Sequence, residues 1–168
     1  MIKGIIGAVI GDIAGSTREA KPVSSKRFKT FTSGSTVTDD SVLTIAVAEW
    51  MLDRDGVDIA QSLLKWATEY PHAGYGGRFR HWLRDRHPKP YNSWGNGSAM
   101  RVSSVGWLYN DLETVRRMAR LSAEVTHNHP EGIKGAEAPA SAIFLARTGH
   151  SKVRIKAYIE KEFGYDLS

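Results

Sequence analysis

The sequence predicts an all-α fold, and three observations carry that prediction. Apolar residues recur at helical spacing along most of the chain, with Leu112, Val115, Met118, Leu121 and Val125 the plainest series. Start and stop signals bracket these segments: Asp58, Asp111 and Ser151 ahead of them, Tyr70-Pro71 and Gly164 behind. No stretch alternates apolar and polar residues between hairpin turns, as a half-buried strand would. A length of 168 residues suits a single domain over 1–168.

Taken in order, the first helix is expected over residues 4–16. There Gly7, Gly11 and Gly15 recur every fourth position and so share one face, which invites close approach by another backbone. Residues 23–37 form a polar connection rich in Gly, Ser and Thr. A second helix over 39–52 carries a broad apolar face of Val42, Leu43, Ile45, Ala46, Val47 and Trp50. A third runs over 58–69, with Asp58 and Gln61 spaced as a cap pair. A fourth over 77–86 places Phe79, Trp82 and Leu83 on one side, and a fifth is expected over 97–109. The sixth begins at Asp111. The seventh spans 130–147, with Pro130 in its first turn and Pro139 at a position that favours a kink. The eighth runs from a Ser151 cap to Phe163, ended by Gly164.

Composition narrows the chemistry. The chain has no cysteine, which removes disulfides, thiolate nucleophiles, zinc fingers and iron–sulfur clusters, and fits a cytoplasmic protein. Any metal would be held by oxygen or imidazole. A net charge of +5 from scattered basic residues permits an anionic ligand without forming a nucleic-acid stripe. No run approaches the ~18 apolar residues of a membrane helix. The opening segment, with one lysine and an apolar run broken by Asp12, reads poorly as a signal peptide.

Four constellations could carry chemistry. In Thr38-Asp39-Asp40-Ser41, two carboxylates flanked by hydroxyls offer the oxygen donors that hard cations prefer. The same residues also read as a Thr cap followed by acids that favour a helix N-terminus. In Gly11-Asp12-Ile13-Ala14-Gly15-Ser16-Thr17-Arg18-Glu19, Asp12 needs partners inside an apolar helix. It either serves a site or bonds a neighbouring helix end. Glu19 is either a general base facing a cleft or a solvated acid. Gly95-Asn96-Gly97-Ser98-Ala99-Met100-Arg101 and Gly74-Tyr75-Gly76-Gly77 both open helices, where free amides suit a phosphate or merely complete a turn. Thr126-His127-Asn128-His129-Pro130 lacks further ligands at zinc spacing. His127 therefore reads as an orienting group or as part of a helix-to-helix turn.

In this order and company, the four constellations together with Gly135-Ala136 resemble the ADP-ribosylglycohydrolase family, of the dinitrogenase reductase-activating glycohydrolase type. The resemblance runs over residues 5–146. It implies an orthogonal all-α bundle whose cleft holds two Mg²⁺ or Mn²⁺ ions. The implied activity is hydrolysis of the bond between ADP-ribose and a modified protein side chain or a small ADP-ribose conjugate. By motif, Thr38, Asp39 and Asp40 resemble metal ligands, with Ser41 where many members carry threonine. Glu19 resembles an acid beside the scissile bond, so Glu19, Asp39 and Asp40 are the expected catalytic residues. Gly95, Asn96, Gly97, Ser98 and Met100 resemble the loop around ADP-ribose, His127 a cleft residue, and Gly74, Gly76 and Gly77 the glycine loop near the diphosphate.

One feature departs from the family pattern. Members supply further carboxylates from a later Gly-Asp-x-Asp segment, whereas here the Asp-x-Asp spacing occurs only at Asp53-Arg54-Asp55, without the glycine or hydroxyl context. The chain is therefore expected to be the N-terminal part of such a protein, lacking C-terminal helices and part of the metal shell. Exposed apolar faces would then favour a homodimer. A catalytically silent domain that binds ADP-ribose or another protein is the alternative, and neither nucleic acid nor a membrane is an expected partner.

Overall fold

The computed structural model describes residues 2–19, 23–53 and 56–168. Arg54 and Asp55 of the Asp-x-Asp segment lie outside these. Among the described residues there is no strand, and the helices are α1 (Ile2–Gly15), α2 (Asp39–Leu52), α3 (Ile59–Glu69), α4 (Gly77–Trp82), α5 (Gly97–Met100), α6 (Ser103–Leu108), α7 (Leu112–Glu124), α8 (Pro130–Arg147) and α9 (Lys152–Phe163). A single 3-10 turn, Ser16–Arg18, follows α1. None of the helices is long and apolar enough to cross a membrane.

Two helices organise the core. α2 lies among α1, α3 and α6, so it is buried almost all round, with Val42, Leu43, Ala46 and Val47 at its centre. Its hydroxyls find carbonyls or acids: Thr44 Oγ1 donates to Met100 O at 3.3 Å, and Ser41 Oγ donates to Asp12. α8 runs along α7 and also meets α5, α6 and α9. Its buried face is mostly small (Gly132, Ala136, Ala138, Ala140, Ser141), which lets neighbours come close. A Cβ added to Gly106 of α6 would lie 2.7 Å from Ala140 O. Pro139 sits inside α8 without ending it.

Most caps are those the sequence signals. The side chains of Thr38, Asp58, Asp111 and Ser151 accept amide hydrogen bonds at the starts of α2, α3, α7 and α9, and Gly164 ends α9 in the left-handed conformation at φ 67°. His129 also caps, its Nδ1 accepting from Glu131 N at the start of α8.

Four expectations need correction. The helix expected over 97–109 is two helices, because Arg101 and Val102 have ψ near 0° (−3° and −5°), which tightens the chain out of α geometry between α5 and α6. The fourth helix stops at Trp82, its last carbonyls taken up by tight turns through Asp85. Among the described residues, the Gly7, Gly11 and Gly15 face meets no other backbone, since a Cβ at any of the three would find nothing within 4 Å. On that helix Gly4 is the crowded glycine, against the Trp107 ring, while Ile6 and Ile10 are 50% exposed. Finally, Leu121 is exposed. The buried face of α7 is Val115, Ala119, Ser122 and Ala123. Six residues after Val115, a side chain has turned about 240° round the helix and faces away.

Candidate active site

The acid pair is positioned by a helix start that two segments hold in place. Thr38 Oγ1 accepts from Asp40 N at 3.3 Å, and Asp39 N donates to Ala73 O at 2.7 Å. From α1, the Asp12 carboxylate accepts Thr38 N at 2.9 Å, Ser41 N at 3.2 Å and the hydroxyls of both residues. Asp12 therefore caps α2 from outside and bonds a neighbouring helix end, while it also borders the space that Glu19 and Asp40 line.

That cap gathers negative charge. Burial, with Asp40 next and then Glu19 and Asp12, raises the Asp39 carboxyl to about 6. Asp40 is also raised, by burial first and then by Asp12 and Glu19. The two carboxylates open into different spaces. Asp39 lines a cavity of about 270 Å³ with Gly76, Gly77, Arg78, Tyr91, Gly95, Asn96, Gly97, Met100, Arg101 and His127. Asp40 lines a neighbouring cavity of about 390 Å³ with Asp12 and Glu19, and Met100 borders both. Among the described residues, no group of three or more His, Asp or Glu stands together as a metal cluster. A larger cavity of about 760 Å³, walled by residues such as Ile45, Trp50, Leu52 and Val57, holds none of the expected site residues.

The loop before α5 is pinned to the turn between α7 and α8. Tyr91 N and Ser93 N donate to Thr126 O, and Asn92, at φ 51°, donates its amide to Asn128 Oδ1 at 2.7 Å. A Cβ at Gly132 would lie 2.4 Å from Ser93 O, so α8 must be bare where this loop crosses it.

Two arginines also line the smaller cavity. Arg101 is fully buried, with Nη2 donating to Ser122 O at 2.6 Å and to Thr126 Oγ1 at 2.9 Å. Burial lowers its guanidinium to about 10, which leaves it charged at neutral pH. Arg78 stacks on the Tyr91 ring at 5.0 Å and donates to Tyr91 O. His127 is 4% exposed, and burial, then Arg101 and Arg78, lower it to about 4, so the imidazole is neutral.

The chain that carries this acid pair and these glycine loops is similar in sequence to known proteins. A family model described as ADP-ribosylglycohydrolase covers residues 1–164. The chain belongs to the ADP-ribosylglycohydrolase family. It is similar to ADP-ribosylhydrolase ARH3 of Mus musculus, 31% identical over 180 residues, covering 88% of this chain and 49% of that protein. The Homo sapiens ARH3 is also 31% identical over 180 residues, at 88% and 50% coverage, and that of Gallus gallus is 31% identical over 148 residues, at 78% and 39%. The chain thus spans about half the length of the curated relatives it matches.

In this ADP-ribosylglycohydrolase chain, eight of the expected residues share the smaller cavity: Asp39, Gly76, Gly77, Gly95, Asn96, Gly97, Met100 and His127. Asp40 and Glu19 share the other. Three stand apart from both linings. Thr38 is taken up by capping, Gly74 makes a left-handed turn at φ 97°, and Ser98 is wholly buried, its hydroxyl donating to Gly132 O at 2.7 Å. The two helices expected to present a dipole to phosphate are only six and four residues long, too short to sum many peptide dipoles. Positive charge comes instead from Arg78 and Arg101, which the sequence reading passed over as site residues. Arg101 stands at the end of the quoted glycine motif. Arg78 and Tyr91 carry no local signal, since only the fold brings them to the cavity.

Proposed function

We propose that this chain forms the ADP-ribose-binding wall and part of the metal site of an ADP-ribosyl hydrolase. The protein would cleave the glycosidic bond between ADP-ribose and a modified protein side chain, or a small ADP-ribose conjugate. The observation that carries this reading is one cavity lined both by Asp39 and by Arg78, Arg101 and His127, with bare glycine backbone at Gly76, Gly77, Gly95 and Gly97. A sugar diphosphate needs both kinds of group. Its phosphates favour the guanidinium side, and its ribose offers hydroxyls to carboxylate or imidazole.

The donor set fits Mg²⁺ or Mn²⁺ in kind. Asp39 and Asp40 are oxygen donors whose affinity for protons is raised by burial first and then by neighbouring carboxylates (Asp40, Glu19 and Asp12 on Asp39; Asp12 and Glu19 on Asp40), and a divalent cation would offset that negative charge. Thr38 Oγ1 keeps a lone pair beyond the one that accepts from Asp40 N. When bound, such ions would orient ribose hydroxyls and favour ionisation of the attacking water. Glu19, exposed beside Asp40, would take the proton of the attacking water as its oxygen bonds the anomeric carbon, while the side chain leaves with the electron pair of the broken glycosidic bond and takes up a proton from solvent. Asp39 offsets the positive charge developing on the sugar ring. The cysteine-free composition accords with action in the cytoplasm.

Calorimetry of the 168-residue chain with ADP-ribose, with and without Mg²⁺, tests the binding wall. ADP-ribose is expected to bind, and Mg²⁺ to change its affinity little, because these residues supply only part of an octahedral shell. Failure of ADP-ribose to bind would defeat the reading. For turnover, a full-length protein containing this segment should lose release of ADP-ribose from a modified peptide when Asp39→Ala and Asp40→Ala are combined. Unchanged release would remove both acids from the chemistry.

A further inference from the structure

We propose that Thr126, itself held by Arg101, is a positioning residue that fixes His127 as the tautomer protonated at Nε2, so that this ring edge donates to an acceptor oxygen of the cavity's ligand. The identity of that ligand as ADP-ribose rests on the reading above; the tautomer does not.

The argument is a count of protons around one hydroxyl. Arg101 is a donor only, and its Nη2 lies 2.9 Å from Thr126 Oγ1, so the threonine oxygen accepts there. The hydroxyl's single proton has two candidate acceptors. Ala123 O is 3.4 Å away, whereas His127 Nδ1 is 2.8 Å away. The closer partner wins, and the more firmly because a hydroxyl that accepts from a buried guanidinium becomes a better donor. Nδ1 is then the acceptor, and the proton of the neutral ring must sit on Nε2. The converse arrangement, Nδ1–H donating to Thr126, would keep the 2.8 Å contact but leave the hydroxyl proton only the 3.4 Å path to Ala123 O, which already accepts Thr126 N and His127 N.

The cavity edge of the ring agrees with a donor role. Nε2 has no hydrogen-bond partner among the described residues, and His127 and Gly97 line the same cavity. A Cβ on Gly97 would come within 3.1 Å of Nε2 and 3.0 Å of Cε1, so the glycine keeps that edge approachable. The charged and titratable groups around the ring are Arg101 and Arg78, with Tyr91 packed at 6.0 Å between ring centroids. Both cations oppose a second proton on the imidazole, which leaves one proton and one place for it.

The test is nitrogen-15 NMR of the histidine-labelled chain near neutral pH, reading the two ring nitrogens of His127 without ligand. The expected spectrum has a protonated Nε2 and a bare Nδ1. Thr126→Ser, which keeps the hydroxyl, should preserve both that pattern and ADP-ribose affinity. Thr126→Val should shift the ring toward the other tautomer and weaken ADP-ribose by about tenfold, the scale of one lost hydrogen bond. A wild-type ring protonated at Nδ1 would overturn the proposal, and so would a Val variant with wild-type tautomer and affinity. If the Val variant fails to fold, the wild-type spectrum alone decides. An Nε2–H ring in a chain that does not bind ADP-ribose would support the positioning role and defeat only the ligand reading.

Discussion

The Asp12 carboxylate on α1 accepts both the backbone amide and the hydroxyl of Thr38 at the start of α2. This link holds the acid pair in place, since Asp39 and Asp40 follow Thr38 directly. Asp12→Ala would leave the amides of Thr38 and Ser41 without their charged acceptor. The expected loss is about 2–3 kcal/mol of stability, measured by denaturant unfolding. Unaltered stability would mean that the helix start holds itself.

Asp39 makes the folded chain sensitive to pH in an unusual direction. Its carboxyl is raised from 3.8 to about 6, so between those values the folded state holds a proton that the unfolded state has lost. Stability from this group is therefore present below pH 3.8 and is lost as pH rises through about 6. His127, lowered from 6.5 to about 4, acts oppositely across much of the same window, so the total profile blurs the two. A difference measurement separates them. In EDTA, Asp39→Asn should melt higher than wild type at pH 7.5 by roughly 2 °C, a figure kept small by solvent screening of a half-buried group, and the gain should vanish near pH 4. A gain that grew toward acid pH would contradict the sign.

Two glycines on the bundle should respond to alanine in opposite ways. Gly7 has open space where a Cβ would go, so Gly7→Ala should stabilise α1 by about 1 kcal/mol through helix propensity. A Cβ on Gly106 would lie 2.7 Å from Ala140 O and from the Ile143 side chain, so Gly106→Ala should cost about 3 kcal/mol by forcing α6 from α8. Chemical denaturation of both variants reads the contrast. Destabilisation by Gly7→Ala would show that its face is packed after all.

Gly97→Ala probes the cavity more than the fold. The added methyl would press on the His127 ring at 3.0 Å while gaining helix propensity at the start of α5. Stability should change by less than about 1 kcal/mol, while ADP-ribose affinity falls by roughly tenfold in calorimetry. Equal affinity in the two proteins would place the ligand away from the His127 edge.

Local patterns told more about elements than about their partners. Asp58, Asp111, Ser151 and Gly164 mark helix ends because a cap is satisfied within a few residues of itself. The split at Arg101 escaped notice because its cause lies elsewhere, in the Ser122 and Thr126 oxygens that draw the guanidinium inward. The glycine face of α1 misled for a similar reason. Spacing shows that three glycines share a side, but it does not show what stands opposite.

The sequence by itself determined the helices, their caps, the family motifs and the set of oxygen and imidazole groups open to chemistry. Each depends on neighbours three or four positions apart or on residue identity alone. Only the tertiary structure decided that Asp39 shares a cavity with Arg78, Arg101 and His127, that Asp40 opens with Glu19 into a second space, and that Asp12 acts as a cap. Those relations join distant segments through the packing of α2 and α8, and side chains that meet only by packing leave no periodicity in the chain that encodes them.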